Sequence, residues 1–174
     1  MVVFNETFAS LDGGKDIVVL WHEAIAGRLA QNVASAYIKC INTCGKDYII
    51  FWADNCTAQN KNWTLFTAMT WCVNQVWGPK SIIIRYLEKG HTFMRADSVH
   101  GKIGTKMRRT PNVYTFSDFV EMCHESASAI KPVSMQVGDF YEFLDGHRSR
   151  QTKRSTVTIP QLNDISEVEF KKGV

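Results

Sequence analysis

Short β-branched and aromatic runs alternate along this chain with stretches in which apolar residues return every three or four positions, the signature of an α/β protein. Val2-Val3-Phe4 and Ile17 to Trp21 read as two strands of an antiparallel hairpin. The Asp12-Gly13-Gly14 core between them supplies the positive φ values that a tight turn needs. From Gly27 to Ile41, Leu29, Val33, Ala36, Tyr37 and Cys40 form a one-faced helical stripe that Gly45 ends. Tyr48 to Trp52 is nearly all apolar and predicts a strand covered on both faces, near the middle of a sheet. A helix over Lys61 to Val76 stops at Gly78-Pro79, and Ser81 to Leu87 gives another short strand.

The pattern weakens after that point. Phe93 to Met107 reads as a helix despite Gly101 and Gly104, each costing up to about 1 kcal/mol relative to alanine. Thr115 to Ala129 is a second helix, with Thr115 or Ser117 as its cap and Phe116, Phe119, Val120 and Cys123 as its core stripe. Beyond Pro132, strands are expected around Phe140 to Leu144 and Thr156 to Ile159, and Glu167 to Val174 reads as a frayed end. Residues 1–130 are expected to form the core and residues 131–174 an extension. Trp52, Trp63, Trp71 and Trp77 sit among apolar neighbours and are expected in the core.

Composition adds limits more than it adds function. At 174 residues, 45% of them hydrophobic and 21% charged, the chain suits one globular domain. A net charge of +3 is too mild to argue for a nucleic-acid partner, so its distribution matters more. Lys102, Lys106, Arg108 and Arg109 form one acid-free cluster, and Arg148, Arg150, Lys153 and Arg154 form another. Five cysteines without regular spacing argue against a disulfide scaffold and for a reducing compartment. Cys40 and Cys44 resemble half of a zinc site that no second pair completes. No signal peptide and no membrane-spanning run is readable, which predicts a soluble, intracellular protein.

The chemistry-bearing positions gather at two places. Asp54 follows an apolar strand directly, at the end where open α/β sheets place their ligands, and Asn55, Gln59 and Asn60 follow it in an amide-rich turn. Asp97 and His100 share a helix face with Gly101 and Gly104. Two acids on neighbouring elements suit a divalent cation. Each also has a plainer reading: Asp54 as a cap for the next helix, Asp97 as a surface acid, His91 and His100 as hydrogen-bonded structural residues, and the glycines as relief of crowding against the sheet. The cluster Arg148 to Arg154 reads by default as a solvated loop, with a DNA contact or a nuclear import signal as the alternatives.

Taken together, Trp21-His22-Glu23 with Gly27-Arg28, Phe51-Trp52-Ala53-Asp54-Asn55-Cys56 with Gln59-Asn60-Lys61-Asn62, Gly90-His91-Thr92, and Asp97-Ser98-Val99-His100 resemble a transposon-associated domain of unknown function found in eukaryotic mobile-element proteins. That domain is in turn similar to the RNase H-like catalytic cores of DDE transposases and retroviral integrases. The resemblance covers Phe4 to Phe119 and implies a mixed sheet flanked by helices. It implies that Asp54 and Asp97 hold Mg²⁺ or Mn²⁺, with His100 at the same site and Asn55, Gln59, Asn60 and His91 supporting it. DNA is the implied partner, contacted by both basic clusters, with a nuclear location and a possible homo-oligomer. A first strand bearing a further carboxylate has no counterpart, which leads us to expect an incomplete or inactive catalytic core. Two rivals stand beside this reading: a domesticated DNA-binding or protein-interaction module without turnover, and a phosphoesterase with a mixed His/Asp metal site.

Overall fold

The first strand pair closes on a glycine, as the hairpin pattern requires. β1 (Val3–Phe8) runs antiparallel to β2 (Asp16–His22), and Gly13 in the connecting turn has a φ of +84°. Asp12 braces that turn by accepting from the Ser10 hydroxyl at 2.6 Å and the Gly14 N–H at 3.1 Å. The computed structural model describes residues 1–56, 59–88, 94–110, 112–143 and 162–173. Within these the class is mixed α/β, with two three-stranded sheets and four α-helices. Its contacts divide the chain into two compact units, each built from two separate stretches.

The first unit comprises Met1–Gly27 and Phe93–Asp139. β2 is its central strand, antiparallel to β1 on one side and parallel to β5 (Ile130–Ser134) on the other. The sequence pattern misses β5 because Pro132 lies inside it. An edge position tolerates that proline, since no second neighbour demands its missing N–H. Val18 and Leu20 of β2 pack with Val99 and Ile103 of α3 (Arg95–Arg109) and with Met122 and Cys123 of α4 (Phe116–Ser126). Val99 and Ile103 are the only buried residues of α3, so this helix presents a wide polar surface.

The second unit comprises Arg28–Thr92 and Phe140–Val174. α1 (Ala30–Cys44) ends on Gly45 in the left-handed conformation, with φ +60° and its N–H bonded to the Ile41 carbonyl at 3.1 Å. β3 (Tyr48–Ala53) and β4 (Ser81–Tyr86) are parallel, and α2 (Trp63–Asn74) lies between them in sequence, the expected crossover arrangement. β6 (Glu167–Lys171) completes the sheet antiparallel to β4, where the pattern predicts a frayed end. Alternation explains the difference: Val168 and Phe170 turn inward while Glu167, Glu169 and Lys171 turn out, too short a signal to read without its partner strand. No strand forms over residues 140–143, and the candidate at Thr156 to Ile159 lies outside the described residues.

β3 corrects a second expectation. Among the described residues it is an edge strand of its sheet, with Ile49 and Ala53 buried and Tyr48, Ile50 and Trp52 left 70%, 50% and 48% exposed on the other face. A continuous apolar run fits a strand buried on both faces, yet it forms equally well with one face covered. Trp63 and Trp77 are also exposed, and Trp71 is half-buried against Trp77, Tyr141 and Phe143, so none of the four tryptophans expected in the core is fully buried. No helix among the described residues is long and apolar enough to cross a membrane.

Candidate functional site

The C-terminal end of β3 carries a hydrogen-bonded polar cluster. Asp54 leaves the strand and its Oδ1 accepts two hydrogen bonds, from the Cys56 N–H at 3.1 Å and from Asn60 Nδ2 at 2.6 Å. Among the described residues Oδ2 accepts none. The chain then turns tightly: the Cys56 carbonyl receives the N–H groups of Gln59, Asn60 and Lys61 at 3.2, 2.8 and 3.1 Å. Asn62 caps α2 by accepting from the Leu65 N–H at 2.9 Å. The helix is therefore capped by Asn62, which leaves Asp54 free of that duty.

Asn60 holds the cluster together. Its side-chain oxygen accepts from the Tyr37 hydroxyl of α1 at 3.2 Å, its amide donates to Asp54, and its own carbonyl accepts from the Tyr86 hydroxyl of β4 at 2.7 Å. Burial pushes the Tyr86 hydroxyl well above the ordinary tyrosine range, which keeps it a neutral donor. Asn55 ties the end of β3 to that of β4 by donating to the Leu87 carbonyl, and its oxygen accepts from Lys61 Nζ at 2.8 Å. Lys61 is itself buried, 3% exposed, with its ammonium 4.8 Å from the centre of the Tyr86 ring and 3.3 Å from the Asn163 carbonyl.

Asp54, Asn55 and Asn60, which the sequence groups in one turn, lie together at the end of β3. The sequence holds no hint of Tyr37, Lys61 or Tyr86, whose contributions come from α1 and β4 and from an inward turn of the residue just before the helix cap. Gln59 lies in the turn, where its N–H donates to the Cys56 carbonyl and its own carbonyl accepts from Asn62 Nδ2 at 3.1 Å. The cysteines are all free thiols. Burial pushes Cys72 and Cys123 up to about 12, and Cys40 higher still, so these three stay protonated and inert at neutral pH.

Asp97 and His100 belong to the first unit, on α3. Asp97 is exposed and sits three residues after the helix cap, where its Oδ2 accepts from the Met94 N–H at 2.7 Å. It satisfies one of the donors that a helix start leaves open. His100 is exposed one turn further on. Lys102, Lys106, Arg108 and Arg109 occupy the polar surface of the same helix, Lys106 bridging to Glu125 of α4 at 2.8 Å and Arg108 donating to the Thr105 hydroxyl at 3.2 Å. The other basic residues named from sequence, Arg148, Arg150, Lys153 and Arg154, lie outside the described residues, as does His91. Among the described residues no three His, Cys, Asp or Glu side chains gather closely enough to hold a metal ion.

A family model described as Domain of unknown function (DUF7869) matches residues 30–171, most of the chain. No curated protein and no solved structure gives a significant match.

Proposed function

This chain belongs to that family, and we propose that it is an RNase H-like domain descended from a DDE-type transposase, with DNA as its partner and metal-dependent strand cleavage and joining as its ancestral chemistry. The observation that carries this reading is the state of Asp54. One carboxylate oxygen is held by a backbone N–H and a side-chain amide while the other is left to accept, at the rim where two parallel strands end.

The donor set fits a hard cation. Mg²⁺ and Mn²⁺ favour carboxylate and water ligands, and Mg²⁺ retains several of its own waters when one or two carboxylates hold it. Asp54 would hold the ion, with Asn60 fixing the orientation of its carboxylate. Such an ion supplies Lewis-acid activation at phosphorus when it is bound. Asp97 and His100 are carried as proposed site residues of α3 on the family resemblance alone. A DNA partner places the protein in the nucleus. The second reading, a DNA-binding module without turnover, is favoured by the lack, among the described residues, of any group of three potential metal ligands and by the basic surface of α3.

The test is Mn²⁺ titration by calorimetry, with cleavage of labelled DNA as the second readout. Asp54→Asn is expected to lose Mn²⁺ binding and any cleavage, and Asp97→Asn to weaken both. Mn²⁺ binding that is the same in Asp54→Asn as in the parent chain would refute the proposed site. Metal binding that requires Asp54 without any strand cleavage would establish the module reading.

A further inference from the structure

The polar surface of α3 is unusual for its two glycines. A β-carbon built on Gly101 meets nothing within 4 Å, and one on Gly104 meets only the tip of Arg108 at 3.7 Å, an ordinary contact. Neither glycine therefore relieves crowding inside the fold, although each weakens the helix relative to alanine. What Gly101 does is leave a notch in a cleft of about 550 Å³, whose other lining includes Ser98, Lys102, Thr105, Lys106 and Arg109. The three cations lie four and three residues apart, on one side of the helix, and span about 10 Å along its axis.

We infer that this glycine-notched cleft on α3 is a seat for the sugar-phosphate backbone of duplex nucleic acid, and that Glu125 holds Lys106 in reserve until a phosphate replaces it. The nucleic-acid partner rests on the function proposed above, whereas the seat itself needs no metal. Three observations favour a backbone over a single phosphate ion. The cations extend beyond the reach of one phosphate, the cleft is open and not enclosing, and the Ser98 and Thr105 hydroxyls add donors that suit phosphate and sugar oxygens without reading bases. The missing side chain at Gly101 lets a rigid backbone approach the helix closely. The Lys106–Glu125 pair is solvent-exposed on both sides, 34% and 53%, and pairs of that kind contribute little, so exchanging the carboxylate for a phosphate is easy.

The test measures binding of a short fluorescently labelled DNA duplex by the full chain, without divalent cations, over a range of salt. Lys102→Gln with Arg109→Gln is expected to weaken binding on the order of tenfold and to make the slope of log affinity against log salt shallower by about 2. Gly101→Leu, which fills the notch without altering charge, is expected to weaken binding severalfold. Glu125→Gln is expected to tighten it, a gain that misfolding cannot mimic. Measuring without divalent cations separates this seat from the metal site, whose own readout is the Mn²⁺ titration. Failure of the parent chain to bind the duplex, an unchanged salt slope in the double variant, or unaltered affinity in Gly101→Leu would each overturn the inference.

Discussion

Asn60 is the residue on which the end of β3 depends, because one side chain answers two partners at once. Replacing it with alanine removes one donor from Asp54 Oδ1 and one acceptor from the Tyr37 hydroxyl, in a region where Asn60 is 8% and Tyr37 4% exposed. Losing two hydrogen bonds, one of them to a carboxylate, costs about 1–3 kcal/mol, so urea unfolding of Asn60→Ala should show a midpoint lowered by that amount of free energy. A midpoint equal to the parent's would mean that solvent reaches the cluster. At this scale the sequence was readable wherever the signal is local. Asp54, at the end of an apolar run, and the amides just after it were legible from order alone. Tyr37 and Tyr86 were not, because what makes them part of the cluster is a meeting across α1 and β4. Asp97 was placed on the right helix, but its bond to the Met94 N–H depends on where that helix starts, and helix starts are poorly fixed by pattern.

The helices of the first unit give the element-scale tests. Gly101 lies inside α3, has ordinary helical backbone and meets open space, so Gly101→Ala should stabilise the protein by up to about 1 kcal/mol. Gly78, in the α2–β4 connection, is the contrast: an added β-carbon would fall 1.9 Å from the Cys72 carbonyl oxygen, and Gly78→Ala should lower the unfolding midpoint instead.

α4 begins with a reciprocal cap. Asp118 accepts from the N–H groups of Thr115 at 2.8 Å and Tyr114 at 3.0 Å, while its own N–H reaches the Thr115 hydroxyl. Those bonds, the Thr115 N–H first, hold its carboxyl below the ordinary 3.8. A depressed value in the folded state means that the ionised cap contributes its stability fully above the ordinary carboxylate value and loses it as pH falls through the folded one. Asp118→Asn should therefore melt below the parent at pH 7 and converge with it in strong acid. A constant gap across that range would remove Asp118 from the titration. Element types were mostly legible because helical spacing persists over three or four turns. β5 and β6 were missed because five residues with a proline, or with alternating charge, look like loop until the partner strand is known.

At the scale of the whole molecule, the order of elements along the chain conceals the way they group. The chain leaves the first unit after Gly27, builds all of α1 through β4, and returns to the first unit at Phe93. Each unit has its own three-stranded sheet and its own fully buried residues, among them Val18, Leu20, Val99 and Met122 in one and Val33, Leu65, Ile82 and Ile84 in the other. No local pattern announces such a division, since hydrophobic spacing reports which face of an element is covered and says nothing of which distant element covers it. Two such sets imply two cooperative blocks of hydrogen-exchange protection. Leu20 and Leu65 are both fully buried, and truncating either to alanine costs about 2–5 kcal/mol. In native-state exchange, Leu20→Ala should lower protection in β1, β2, β5, α3 and α4 while leaving β3 and β4 near their parent values, and Leu65→Ala should do the reverse. Equal loss everywhere from either change would show that the chain unfolds as one block, whatever its contacts suggest.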